Sequence, residues 1–139
     1  FRTMYVHEAG DKKDLKQALR NDARITPIGL LLRKYSLDEL PQLFNVLLGQ
    51  MSLVGPRPHA VSHNEFYRDK IQGYMQRHSL KPGMTGLAQI KGFRGETKTI
   101  KDMMNRVEND LEYINHWNLL LDLKILVKTL KSVFYDQGY

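Results

Sequence analysis

The spacing of apolar positions predicts a chain built mainly of short helices. Residues 1–6 read as an extended entry. Residues 7–24 are polar and charged, but Leu15, Ala18 and Leu19 keep helical spacing and predict an exposed helix over 11–20. Thr26 suits a cap and Pro27 a first helical position, with Leu30–Lys34 continuing that helix. From Ser36 to Gly49, Leu37, Leu40, Phe44, Leu47 and Leu48 recur at three- and four-residue steps, as in an amphipathic helix. Ser36 and Glu39 fit a capping box, and Gly49 fits a stop. Pro41 removes a backbone donor and disfavours helix at Leu40, so the helix kinks there or begins at Pro41.

Met51–Val54 is short and apolar, and two prolines stiffen the loop Gly55-Pro56-Arg57-Pro58 after it. Residues 60–77 read as a polar helix, 81–86 as a turn, Leu87–Ile90 as a short strand and 92–97 as a Gly-flanked loop. Residues 100–117 are helical, and Leu119–Phe134 form a more apolar helix broken by Asp122, Lys124, Lys128 and Lys131. There is no internal repeat. The expectation is a single α+β domain over residues 1–139, predominantly helical with short strands.

Composition narrows the function. The chain has 139 residues, enough for one domain with a real core. It has no cysteine, which excludes disulfides, a thiolate nucleophile and Cys-ligated metal sites. Lys and Arg number 21 against 15 Asp and Glu, a formal charge of +6. That excess suggests an anionic partner: nucleic acid, nucleotide, phospholipid or phosphate ester. No stacking-aromatic or recognition-helix motif supports nucleic acid. No apolar stretch approaches the ~18–20 residues of a membrane-spanning helix. The sequence opens on Phe1, which reads as a piece of a longer protein.

Asp38-Glu39 stands at a predicted helix start, with Arg33 five residues upstream. A carboxylate in a first turn stays ionised and can act as a nucleophile on phosphorus or hold Mg²⁺, though an acidic first turn on a surface helix reads the same way locally. Arg57 on its stiff loop suits bidentate phosphate recognition, or is simply a solvated turn residue. The glycines of 81–86 and 92–97 permit close backbone approach to a phosphate, but neither run matches a P-loop. Asp110 can add a carboxylate to a Mg²⁺ site or lie on a solvated helix face. His59 and His63 are four apart without the Glu that a zinc-protease helix needs. The last helix is basic and amphipathic, with Tyr113, Trp117 and Tyr135 near its ends, which suits either a membrane interface or core packing.

Several segments together carry a resemblance: Phe1-Arg2-Thr3-Met4, Arg33 with Ser36-Leu37-Asp38-Glu39-Leu40-Pro41-Gln42-Leu43-Phe44-Asn45-Val46, Met51–Pro58 and Lys81–Gly86. In order and spacing they resemble the bacterial sugar transferases, the monotopic polyprenyl-phosphate phosphoglycosyl transferases. Residues 58–61, 92–97 and 106–111 resemble the branch that uses UDP-glucose and starts colanic-acid-like exopolysaccharides. Members using galactose-1-phosphate or N-acetylated sugars differ after the Pro-Gly-Met-Thr-Gly-like turn.

The resemblance implies that the carboxylate of Asp38 attacks the β-phosphorus of a UDP-sugar, releases UMP and forms an aspartyl-phosphosugar, which undecaprenyl phosphate then takes. It implies Mg²⁺ beside Glu39, catalytic roles for Asp38, Glu39 and Arg33, phosphate binding by Arg57 and Arg94, and Asp110 as a second metal ligand. It implies the cytoplasmic face of the bacterial inner membrane and contact with its lipid surface. Family members carry a membrane-entering hydrophobic segment before the Phe-Arg-Thr-Met motif, so the chain reads as a C-terminal catalytic domain. Apolar surface that such a segment would cover also suits homo-oligomer formation. A rival reading is an inactive module that binds nucleotide or anionic lipid without turnover.

Overall fold

A computed structural model describes residues 1–5, 22–95, 97 and 99–135. The predicted helix over 11–20 lies outside them. Among the described residues the architecture is helical around a two-stranded parallel sheet, an α+β arrangement.

The entry segment is anchored by an antiparallel bridge between Met4 and Ile25 and by Thr26 donating its N–H to the Thr3 carbonyl at 3.0 Å. Helix α1 (Pro27–Lys34) follows as expected, with the Thr26 hydroxyl accepting from the Gly29 N–H at 2.9 Å.

The expected helix from Ser36 divides in two. Leu37–Glu39 is a 3₁₀ turn, and α2 (Gln42–Leu47) starts after Pro41, which lacks the donor an unbroken helix would need. The Ser36–Glu39 capping box does not form. Ser36 adopts a left-handed backbone (φ 53°), and its side chain makes no cap bond. The capping box lies instead on α5 (Ile100–Asn115), where the Thr99 hydroxyl accepts from Asp102 N–H and the Asp102 carboxylate accepts from Thr99 N–H at 3.1 and 2.9 Å. Gly49 ends α2 at φ 73° as expected.

Strand β1 (Ser52–Val54) pairs in parallel with β2 (Gly83–Thr85), Ser52 opposite Gly83 and Val54 opposite Thr85. The segment expected as a turn thus contains a strand. The two segments bracket a crossover holding α3 (Val61–Tyr67) and a 3₁₀ turn (Tyr74–Ser79). Residues 60–77 are not one helix: α3 ends at Tyr67, and Gly73 turns into the left-handed region at φ 75° just before the 3₁₀ turn. Leu87–Ile90 is helix α4, not a strand, and it buries Leu87 and Ala88. An apolar run of four residues has no period by which to tell the two apart.

The glycines of both strand segments serve close packing of main chain on main chain. A Cβ on Gly83 would lie 2.1 Å from the Gly55 nitrogen, and one on Gly86 would lie 2.3 Å from the Gly55 carbonyl oxygen. Pro56, next to Arg57, accepts from Gly83 N–H at 2.9 Å. This pairing sets the Gly55–Pro58 loop where it is.

Helix α5 is central. Its buried positions Met103, Arg106, Val107, Asp110 and Tyr113 fall at steps of three and four, one helical face. Met103 and Val107 join Tyr67, Ile71 and Tyr74 in one apolar cluster. Tyr113 joins Val54, Leu87 and Ile125 in the other. Arg106 and Asp110 lie on the same face, so two charges sit in the interior.

Helix α6 (Leu119–Tyr135) meets the core-packing reading of the last helix. Ile125 is fully buried, so one face is core. Tyr113 is core as well, its hydroxyl donating to Asp122 at 2.8 Å. Burial and that carboxylate push the tyrosine pKa upward. Trp117 stays exposed and donates its indole N–H to the other Asp122 oxygen at 3.1 Å.

Candidate active site

The site starts from the 3₁₀ turn between α1 and α2. Because Pro41 keeps this segment short, Asp38 and Glu39 lie on a tight turn rather than inside a long helix. The Glu39 carboxylate accepts from Arg57 Nη2 at 2.8 Å. Arg94 Nη2 lies 3.9 Å from the same oxygen and donates to the Ser36 hydroxyl at 3.0 Å. The three charged side chains come from three parts of the chain, and all are half-buried: Glu39 is 18% exposed, Arg57 28% and Arg94 31%. Ser36 joins the site by turning outward from the expected cap, a role sequence spacing did not indicate.

The Asp38 carboxylate has no hydrogen-bond partner among the described residues, and its side chain is half-buried. Neighbouring charges hold Glu39, while Asp38 is left with oxygen lone pairs to offer a substrate.

Two expected residues stand apart. Among the described residues the polar partner of Arg33 is Thr3, whose hydroxyl accepts from Arg33 Nε at 2.9 Å, and neither carboxylate pairs with it. Asp110 is 2% exposed and accepts from Arg77 Nε and Nη2 at 2.9 and 2.6 Å. These partners differ from those expected of a Mg²⁺ ligand. Burial pushes the Asp110 carboxyl upward, and Arg77 pulls against it. Arg77, Arg106 and His59 were not singled out as site residues. The signal for Arg106 and Asp110 was present, since both sit four apart on the face of α5 that Met103 and Tyr113 mark as buried.

A cavity of about 360 Å³ opens beside Glu39, Ser36 and Arg94. Leu40, Leu43, Leu53, Leu126 and Leu130 also line it. Thr85, Gln89, Thr129 and Ser132 add further polar groups to the lining.

The model for bacterial sugar transferases matches residues 1–136. The chain belongs to the bacterial sugar transferase family. It is 60% identical over 138 residues to a UDP-glucose:undecaprenyl-phosphate glucose-1-phosphate transferase of Klebsiella pneumoniae, covering 99% of this chain and 29% of that protein. It is 56% identical to the protein of the same name from Escherichia coli K12, with the same coverage. An undecaprenyl-phosphate galactose phosphotransferase of Salmonella typhimurium is 48% identical over 127 residues, 91% of this chain and 25% of that protein. The chain therefore spans less than a third of the length of these relatives. The family assignment agrees with the resemblance read from the motifs.

Proposed function

We propose that the chain is a phosphoglycosyl transferase domain that moves glucose-1-phosphate from UDP-glucose to undecaprenyl phosphate and releases UMP. The observation that carries this reading is the Asp38 carboxylate, without a hydrogen-bond partner among the described residues, next to a Glu39 that accepts from Arg57 and has Arg94 3.9 Å away. An Asp38 oxygen attacks the β-phosphorus, the bond from that phosphorus to the bridging oxygen breaks, and UMP leaves with the electron pair. A phosphate oxygen of the acceptor then attacks the same phosphorus and frees the Asp38 carboxylate. Donor and leaving group are polyanions, so Arg57 and Arg94 are suited to neutralise charge that grows on the phosphates. Arg33 orients the segment from α1 through its hold on Thr3.

The donor set fits Mg²⁺. That ion takes one or two carboxylates and fills its shell with water and substrate phosphates. Asp38 and Glu39 are adjacent carboxylates, and among the described residues no cluster of three His, Asp or Glu side chains forms a closed cage. Glu39 is the ligand we assign. Asp110, committed to Arg77, falls outside the set. When bound, the ion would supply positive charge to the diphosphate.

The amphipathic surface supports a lipid acceptor at the cytoplasmic face of the inner membrane. On α6, Leu119, Leu120, Leu123, Val127 and Leu130 are exposed at helical spacing, a stripe distinct from the buried Ile125 face. Lys124, Lys128 and Lys131 run along the adjoining row and are exposed. This is the pattern of a helix lying in an anionic interface. Leu126 and Leu130 of the same helix wall the cavity that Glu39 and Arg94 also line, so an isoprenoid can lie along it with its phosphate near Arg94. Among the described residues no helix is long and apolar enough to cross a membrane.

Incubation with UDP-glucose and Mg²⁺, followed by intact mass, tests the reading. A phosphohexose adduct lost in Asp38→Asn is the expected result, and UMP release retained by Asp38→Asn would overturn the nucleophile assignment. The 48% identity to a galactose phosphotransferase favours a second reading in which the sugar is galactose. A panel of UDP-sugars decides between them.

A further inference from the structure

Two arginines in the interior hold main-chain carbonyls at or beside the two arginines that face Glu39. Arg77, in the 3₁₀ turn Tyr74–Ser79, is 2% exposed and donates from Nη2 to the carbonyl oxygen of Arg57 at 2.7 Å. Arg106, on α5, is 5% exposed. It donates from Nε to the Phe93 carbonyl at 2.9 Å and from Nη2 to the Gly95 carbonyl at 2.6 Å. Those are the two carbonyls that flank Arg94.

His59 lies between the pair. Its Nδ1 faces Arg77 Nη1 and its Nε2 lies 3.4 Å from Arg106 Nη1. Burial, with Arg77 and Arg106 adding to it, pulls the imidazole pKa down to about 2, so the ring is neutral. Asp110 balances Arg77 from α5, four residues beyond Arg106.

Stability alone is a weak reason for such an arrangement. A buried ion pair replaced by apolar groups of the same volume is often neutral or stabilising. What apolar packing lacks is direction. A guanidinium is a rigid fork of donors; here Arg106 spans two main-chain carbonyls of one site loop, and Arg77, seated on Asp110, reaches one carbonyl of the other. The side chains carried by those loops, Arg57 and Arg94, converge on one oxygen of Glu39.

We propose that Arg77 and Arg106 are positioning residues that hold Arg57 and Arg94 against Glu39, with His59 wedged between them. The proposal rests on the transferase reading for its effect on turnover but not for its effect on the loops.

Hydrogen exchange on the purified protein tests it. In Arg106→Gln, amides of residues 92–95 are expected to exchange faster while those of α3 and α6 match the unsubstituted protein. Arg106→Lys, which keeps the charge and loses the fork, is expected to do the same and guards against a variant that fails to fold. UMP release from UDP-glucose, with the protein in its membranes, is expected to fall about 10²-fold in either variant. In an Arg94→Ala background the added loss is expected to shrink to about twofold or less, because a positioning residue has nothing left to position.

Unchanged exchange over 92–95, or a loss that multiplies in full in the Arg94→Ala background, would overturn the proposal. Absence of UMP release from the unsubstituted protein would count against the transferase reading alone, and the exchange result would still decide this one.

Discussion

Arg57 donates to Glu39 at 2.8 Å across 18 residues of chain, from a proline-stiffened loop to a 3₁₀ turn. Both side chains remain partly open to water, so the pair is screened and worth about 0–1 kcal/mol to stability. Its value lies in orientation: the pair holds one cation and one carboxylate beside Asp38. Glu39→Gln is therefore expected to leave the melting temperature within a few degrees, on the order expected for a loss under 1 kcal/mol. It is expected to lower UMP release about 10²-fold or more, as removal of a charge-stabilising group does in other sites. Calorimetry and a UMP assay on one preparation check both. A large stability loss with normal turnover would make the pair structural.

Much of this site was legible before the structure. Glu39 and Arg57 stood out locally, Arg94 came only from the family resemblance, and the structure brings the three together. The Ser36–Glu39 capping box was misread for a tertiary reason. Each of those side chains has an arginine partner, and the partners lie 58 and 18 residues away. Strand β2 was hidden because Gly83 and Gly86 read as turn residues, whereas they allow two main chains to touch. The buried pair Arg77–Asp110 needed the third dimension on one side only. Asp110 sits on a face of α5 marked by apolar spacing, but nothing in the sequence announces Arg77 as its partner.

The Gly55–Gly83 contact makes a steric prediction. An added Cβ at Gly83 meets backbone nitrogen 2.1 Å away, which cannot rotate aside as a flexible side chain can. Gly83→Ala is expected to part β1 from β2, cost about 1–3 kcal/mol as an overpacking change, and shift Pro56 and Arg57 with it. Thermal unfolding and UMP release should both fall. A variant with unchanged melting and full turnover would show that the sheet does not set the loop.

His59 predicts a pH dependence of stability. Its pKa falls from an ordinary 6.5 when unfolded to about 2 when folded. Below pH 6.5 the unfolded chain takes up a proton there that the folded chain does not. Stability from this residue is thus present above pH 6.5 and is lost progressively as pH falls toward 2. Between pH 7 and 5 the loss is about 2 kcal/mol. His59→Gln removes the titration, so its melting temperature should fall less over that interval than that of the unsubstituted protein. Parallel curves would place the proton elsewhere.

The α6 surface predicts selective attachment to anionic bilayers. Leu120 and Leu123 are 76% and 51% exposed on the apolar stripe, and Lys124 and Lys128 flank it. A helix that lies in the interface gains from apolar burial and from lysines near anionic headgroups, each lysine worth about 1 kcal/mol. Vesicles of phosphatidylglycerol mixed with phosphatidylcholine should bind the purified protein, and pure phosphatidylcholine vesicles should bind it less. Lys124→Ala and Lys128→Ala should each weaken binding about fivefold at low salt and less at high salt, as screening demands. Leu120→Asp with Leu123→Asp should abolish binding with helical content intact. Concentration-dependent sedimentation without vesicle binding would instead make the stripe a contact between copies.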